Sequence, residues 1–426
     1  MKKTKIVATI GPASMSKQKL KKMAEAGMNV CRLNFSHSDH LWHKKAIANI
    51  RAVEKSIGQK IGIIADLQGP RIRIANSSDL SIKKGATVLL TDISNSKKSR
   101  RKGKLIFDWD GFYGYLKPGA KVFIEDGLIQ LVVKEILSQG CLAEVVVGGV
   151  VKPHKAVNIP SISSRMNVLT EKDLADLEFA IKHRVDMVAV SFVGNAMDIY
   201  KIRKMIEYFI EYKRPFYAGA DLATKENYQP WIISKIERRL AIKNLADIIK
   251  ASDGIMIARG DLAVEMPQKK VALLELEILR KTRRARKPVI VATQMLSSME
   301  HSSRPTRAEI TDVTNAVINH SDAVMLSGET AMGEYPILTV ETMANIIQST
   351  EKSKYDNVRM KNNRWSRLLF GPKKNKRRRI KTAKNLNELL KLSSLRQEKI
   401  KLRLSKRQLA DWGKATLVWG VETKVK

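Results

Sequence analysis

The chain has 426 residues, long enough for two or three domains each with its own core, and its 44% hydrophobic content is that of an ordinary soluble globular protein. No apolar run approaches bilayer length, the apolar part of the basic start "MKKTKIVATIGPAS" is too short for a signal peptide, and two cysteines, Cys31 and Cys141, cannot build a disulfide framework. These features exclude a helical membrane protein and a disulfide-rich secreted one, and they suggest a reducing cytoplasm. The formal charge of +36 exceeds what a small-molecule enzyme needs and favours polyanionic company; half of the excess falls in residues 351–426.

Eight short β-branched runs are spread over the first 350 residues: 5–11, 29–36, 61–68, 187–192, 231–237, 254–261, 288–295 and 322–329. Helical patterns lie between most of them, and "TEKDLADLEFAIKHR" opens with a capping-box pattern at Thr170 and Asp173. Nearly continuous hydrophobicity in strands that alternate with helices predicts an α/β fold, a (β/α)8 TIM barrel. An open doubly wound sheet is the alternative, because periodicity does not show closure.

Between the third and fourth strands, residues 74–156 read as an inserted all-β domain, with "KKGATVLLTD", "GKLIFDW", "AKVFIEDGLIQLVV" and "LAEVVVGG" as strands. Its place after a strand's C-terminal end suits a lid over a site. The barrel then comprises 1–73 and 157–350. Residues 351–426 are basic and aperiodic and are expected to be a weakly ordered tail. Its run "KKNKRRR" reads first as a solvated segment, with nucleic-acid contact second.

The stretch "NVCRLNFSHS" places Arg32, Asn34 and Ser36 at every second position, so that one face of a strand carries a guanidinium, an amide and a hydroxyl. At the C-terminal ends of barrel strands such residues are catalytic equipment. Asp66 ends the third strand, Lys235 and Glu237 the fifth, Asp261 the sixth, Thr293 the seventh and Ser327 the eighth. Glu237 and Asp261 are hard oxygen donors, too few for a cage, as a magnesium ion that also holds substrate oxygens requires. Asn34, Ser36 and Asp66 offer oxygens for a second, weaker cation. Arg32, Arg73 and Lys235 suit a transferring phosphoryl group. With no adjacent nucleophile–base pair, direct phosphoryl transfer fits better than covalent hydrolysis.

At these residues the sequence resembles the pyruvate kinase family over about residues 1–350, through "TKIVATIGPAS", "RLNFSH", "ADLQGPRIRI", "EDGLI", "KAVNIP", "LTEKDLADL", "KIE", "ARGDLAVE", "PVIVATQML", "RPTRAE" and "SDAVMLSGETAMGEYP". The resemblance implies a barrel with a β-barrel lid and phosphoryl transfer from phosphoenolpyruvate to ADP, giving pyruvate and ATP, the last step of glycolysis. It implies Mg2+ (or Mn2+) on Glu237 and Asp261, and K+ on Asn34, Ser36, Asp66 and the carbonyl of Leu67. Lys235 would stabilise the phosphoryl group in flight, and Arg32, Arg73 and His37 would contact nucleotide or phosphate. Gly260, Asp261, Thr293 and Ser327 would bind the substrate, Thr293 ordering the enolate's proton donor. A homo-oligomer through the barrel is implied as well.

Several positions depart from the family pattern. Its usual glycines are replaced by Ser38 and Ala263, and the asparagine usual after "KIE" is Arg238. Residues 213–230 look like an insertion. The family's C-terminal α/β domain, which carries the allosteric site, is not recognisable, and the basic tail stands in its place. The alternative function is a catalytically impaired relative that binds nucleotide or RNA through its basic surface.

Overall fold

The computed structural model describes residues 2–98, 103–125, 127–162, 168–211 and 228–355. Most of the tail read as 351–426 and most of the 213–230 insertion fall outside them; residues 351 and 352 close the helix Pro336–Lys352. Eight parallel strands close into a barrel: β1 (Lys5–Thr9), β2 (Val30–Asn34), β3 (Gly62–Asp66), β4 (Met187–Val190), β5 (Trp231–Ile236), β6 (Gly254–Ala258), β7 (Val289–Ala292) and β8 (Ala323–Leu326). Each pairs with the next along the chain, and β8 returns to β1 in the register Lys5↔Ala323. Closure removes the two unpaired edges that an open sheet would carry.

Every strand ends short of the run read from the sequence. The sixth stops at Ala258, and Arg259–Glu265 is already helical, so Asp261 sits on a helix just beyond the strand rather than on it. The ladder ends where the chain turns outward, which frees the polar residues from sheet pairing.

Alternation along the strands divides the apolar residues into two layers. Val7, Val30, Ile64, Met187, Ile233 and Met256 fill the barrel interior. Their neighbours Ile6, Cys31, Ile63, Val188, Ile232 and Ile255 face outward into the core beneath the helices. Side-chain caps set the helix starts: Ser16 precedes Lys17–Ala26, and the expected box of Thr170 and Asp173 opens Glu171–Lys182.

Between β3 and β4 lies a seven-stranded sheet, in the spatial order Ile72–Arg73, Ala156–Asn158, Lys121–Ile124, Ile129–Leu137, Gly140–Val147, Thr87–Asp92 and Leu105–Phe107. A two-stranded pair joins Leu80–Ile82 to Gly149–Val151. These strands enclose an apolar core of their own that includes Leu90, Phe107, Phe112, Val122 and Leu131. The run 120–133, read as one strand, is instead a hairpin. Glu125 and Gly127 take φ of 53° and 90°, and Ile124 pairs with Ile129. Apolar residues on both sides of the turn hide it from periodicity. Among the described residues no helix is long and apolar enough to cross a membrane.

Candidate active site

The inner faces of β2, β3 and β5 are apolar low in the barrel and turn polar at the C-terminal rim. Arg32 and Asn34 continue the face begun by Val30, Asp66 follows Ile64, and Lys235 follows Ile233. Arg32 pairs in register with Ile64, and Asn34 with Asp66. Two-residue alternation therefore aims all four side chains inward, over a plug of packed aliphatics.

The ammonium of Lys235 is the centre of this cluster. Its Nζ lies 2.8 Å from Glu237 Oε1 and 3.3 Å from Asp66 Oδ1, and it donates to Ser191 Oγ at 2.7 Å. Ser191 in turn donates to the Leu67 carbonyl at 2.7 Å. Arg32 Nε meets Asp66 Oδ2 at 2.6 Å, and its Nη1 donates to Thr9 Oγ1 at 3.0 Å. Burial pulls the Lys235 pKa down, but Asp66 and Glu237 outweigh it, so the ammonium is held above its ordinary value and stays charged. Burial pushes Asp66 up, but Lys235 and then Arg32 hold it below the usual carboxylate range. Glu237 goes the other way: burial raises it more than Lys235 lowers it, and Asp261 adds to the rise.

Glu237 Oε2 accepts the Phe192 amide at 2.7 Å, which helps hold Phe192 at a φ of 57°. Glu237 Oε1 and Asp66 Oδ1 are buried and have no aligned donor, the ammonium standing off-axis to both. Asp261 is engaged by Arg71, whose Nη2 donates to both carboxylate oxygens at 2.9 and 3.0 Å. A buried, undersatisfied carboxylate oxygen beside a second carboxylate that already attracts a cation fits a hard divalent ion. Among the described residues no group of three or more His, Cys, Asp or Glu could hold a metal ion. An ion held by Glu237 and Asp261 would take its other oxygens from water or substrate.

Thr293 follows β7 with a φ of 69°, a costly conformation for a β-branched residue, and Gln294 has 56°. Arg259 holds this turn by donating to the Thr293 carbonyl at 2.6 Å and the Gln294 carbonyl at 3.3 Å. It is anchored by Asp312 at 2.7 Å and Glu275 at 3.5 Å. Thr293 Oγ1 accepts the Gly260 amide at 2.9 Å, which ties the turn to the helix carrying Asp261. The Ser327 amide donates to Glu329 Oε2 at 2.6 Å, and the Leu296 amide to Glu329 Oε1 at 3.2 Å.

A closed eight-stranded parallel barrel with a β insertion after β3, and with Lys, Glu, Asp and Arg gathered at its rim, agrees with what the comparisons with known proteins find. Residues 1–340 match the family model "Pyruvate kinase, barrel domain". The chain is similar to curated proteins named pyruvate kinase. It is 42% identical over 356 residues to one from Geobacillus stearothermophilus and 41% identical over 357 residues to one from Staphylococcus saprophyticus. It is 40% identical over 354 residues to one from Thermococcus litoralis. The chain belongs to the pyruvate kinase family. The matches take in 83%, 82% and 82% of this chain, but only 57%, 57% and 70% of those relatives. The chain thus spans little more than half the length of the first two.

Within the pyruvate kinase frame, the departures from pattern resolve differently. Ser38 has a φ of 65°, so that turn does need the left-handed conformation that glycine adopts freely. Ala263 sits in the helix Arg259–Glu265, where a methyl group is ordinary. Arg238 is 2% exposed, its Nε and Nη2 have no hydrogen-bond partner, and its guanidinium stands 5.0 Å from the Phe192 ring centroid.

Of the site residues read from the sequence, Lys235, Glu237, Asp66 and Arg32 are in direct contact, and Thr293 bonds to Gly260. Asn34 Oδ1 accepts the Ser36 amide at 3.2 Å and keeps a second lone pair, as does the Leu67 carbonyl. His37 is held below its ordinary pKa by burial and then by the charges of Arg73, Arg32 and Arg71, which puts it on the cationic side of the site. Arg73 points elsewhere, donating to the His154 carbonyl at 3.1 Å. His40 pairs with Asp176 at 2.8 Å, and His43 bonds to the His37 carbonyl at 3.0 Å.

Sequence reasoning missed Ser191, Arg71 and Arg259. The two-residue rule applied to Met187 and Ala189 would have found Ser191. Arg71 and Arg259 carried no such signal, because their partners are remote in sequence.

Proposed function

We propose that this chain transfers the phosphoryl group of phosphoenolpyruvate to ADP, leaving the enolate of pyruvate, which is then protonated at carbon. The observation that carries this reading is the charged Lys235 ammonium, fixed between Asp66 and Glu237 with Arg32 beside Asp66. Phosphoryl transfer spreads negative charge over the moving group, and fixed cations in a dry site stabilise that charge at no reorganisation cost. Lys235 takes this role, and Arg32, His37 and, once it leaves the His154 carbonyl, Arg73 face the nucleotide phosphates. Gly260, Asp261, Thr293 and Ser327 seat the substrate, and the Thr293 hydroxyl orders the group that protonates the enolate.

Glu237 and Asp261 hold Mg2+ or Mn2+, which when bound neutralises phosphate and enolate oxygens. K+ is held by Asn34, Ser36, Asp66 and the Leu67 carbonyl. The β insertion of residues 74–156 acts as a lid on the barrel of 1–73 and 157–350, and the protein works in the cytoplasm, as a homo-oligomer through its barrel.

The test is pyruvate formation from phosphoenolpyruvate and ADP with Mg2+, with and without K+, alongside Lys235→Met. Turnover is expected in the wild type, with a fall of at least about 10²–10³-fold in the variant. Turnover that drops when K+ is withheld supports the monovalent set. Soluble, cooperatively folded wild type that makes no pyruvate sinks the reading.

A further inference from the structure

Arg71 immediately precedes Ile72–Arg73, the first strand of the seven-stranded sheet, which starts two residues ahead of the boundary at 74 read from the sequence. Its Nη2 donates to both oxygens of Asp261, at 2.9 and 3.0 Å. The same guanidinium stands 5.4 Å from the centroid of the Phe192 ring, and the Phe192 amide is the donor on Glu237 Oε2. One cation of this chain therefore touches the first of the two carboxylates assigned above to a divalent ion and, through Phe192, adjoins the second.

Both members of the Arg71–Asp261 pair are largely shielded, with side chains 23% and 14% exposed. In such a setting, a guanidinium and a divalent cation on one carboxylate repel strongly. The Phe192 ring, which Arg71 already approaches and which Arg238 also approaches at 5.0 Å, would keep the guanidinium near the rim once it leaves Asp261.

We propose that Arg71 holds the divalent cation's place on Asp261 in the metal-free protein and that the two exclude one another there. Exchange at Asp261 then unfastens the root of the insertion from the barrel rim, because Arg71 is joined directly to Ile72–Arg73. Arg71 is a positioning residue in this scheme. The inference rests on the assignment of Glu237 and Asp261 as metal ligands, and the experiment separates the two.

The probe is Mn2+ alone, titrated into the full chain and followed by the electron paramagnetic resonance of the free ion. If the pair is closed in about nine molecules in ten, the apparent Kd is about tenfold above the intrinsic value. Arg71→Gln should therefore bind Mn2+ about tenfold more tightly than wild type. Arg71→Lys, which keeps the charge but loses the planar fork, should fall between them. Amide exchange across Ile72–Ile74 should rise when Mn2+ is added to wild type.

Equal or weaker Mn2+ binding by folded Arg71→Gln overturns the inference, and unchanged exchange overturns the release of the insertion. Asp261→Asn is the control. If it abolishes Mn2+ binding while wild type and Arg71→Gln bind alike, the metal assignment stands and only the exclusion by Arg71 falls. If it binds Mn2+ as wild type does, or if neither wild type nor Arg71→Gln binds, the metal assignment falls and this inference with it.

Discussion

Replacing Lys235 with Met removes an ammonium that lies 2.8 Å from one buried carboxylate and 3.3 Å from another. Asp66 keeps Arg32 at 2.6 Å, but Glu237 is left with only the Phe192 amide on Oε2. Breaking a buried ion pair from one side costs about 3–5 kcal/mol, because the remaining charge is desolvated and uncompensated. With an unfolding entropy of about 2.1 cal/mol/K per residue, a body of this size loses roughly 1.5 °C per kcal/mol, so Tm should fall by about 4–7 °C near pH 8.

The loss should depend on pH with a definite sign. Burial already raises Glu237 above its ordinary 4.5, and removing Lys235 raises it further. Between 4.5 and that raised value, the folded variant binds more protons than the unfolded chain, so its stability climbs as pH falls. The deficit is full above the raised value and shrinks toward 4.5. In the wild type Lys235 and then Arg32 hold Asp66 low against its burial; the variant loses the first of these charges, so Asp66 moves up too and acts with the same sign as Glu237.

Thermal and urea unfolding of metal-free wild type and variant, from about pH 5 to about pH 8, reads both effects. Adding Glu237→Gln to Lys235→Met should restore part of the loss near pH 8. Equal Tm values at that pH, or a gap that widens on acidification, would refute the view that the ammonium compensates buried carboxylates.

Arg238 and Ser38 give two simpler tests. Burial lowers the Arg238 pKa against the charges of Glu237, Glu265 and Asp198, and two of its nitrogens lack partners. Arg238→Met should therefore be neutral or stabilising by up to about 2 kcal/mol in urea melts, and a loss above about 3 kcal/mol would show that the guanidinium is paired. Ser38→Gly relieves a left-handed backbone costing about 1–2 kcal/mol, partly offset by unfolded-state entropy. A net gain of up to about 1 kcal/mol is expected in the same melts, and a clear loss would mean that the Ser38 side chain stabilises the turn.

Much of the site is legible in the chain because β structure is locally coded. A period of two fixes which face a residue joins, and the ends of apolar runs fix where a strand meets the rim. Arg32, Asn34, Asp66 and Lys235 follow from that rule, and so would Ser191. The hairpin at Glu125–Leu128 was not legible, since apolar residues on both sides of the turn look like one strand.

The sequence by itself determined eight strand positions, the polar rim and the family pattern, all carried by spacing along the chain. Closure of the sheet depended on β8 finding β1, more than three hundred residues apart, which no local period encodes. The same holds for the pairing of Arg71 with Asp261, 190 residues away, and for the turn at Thr293 that Arg259 and Asp312 hold in place. These contacts are set by the fold, because long side chains reach partners that only the closed barrel brings near.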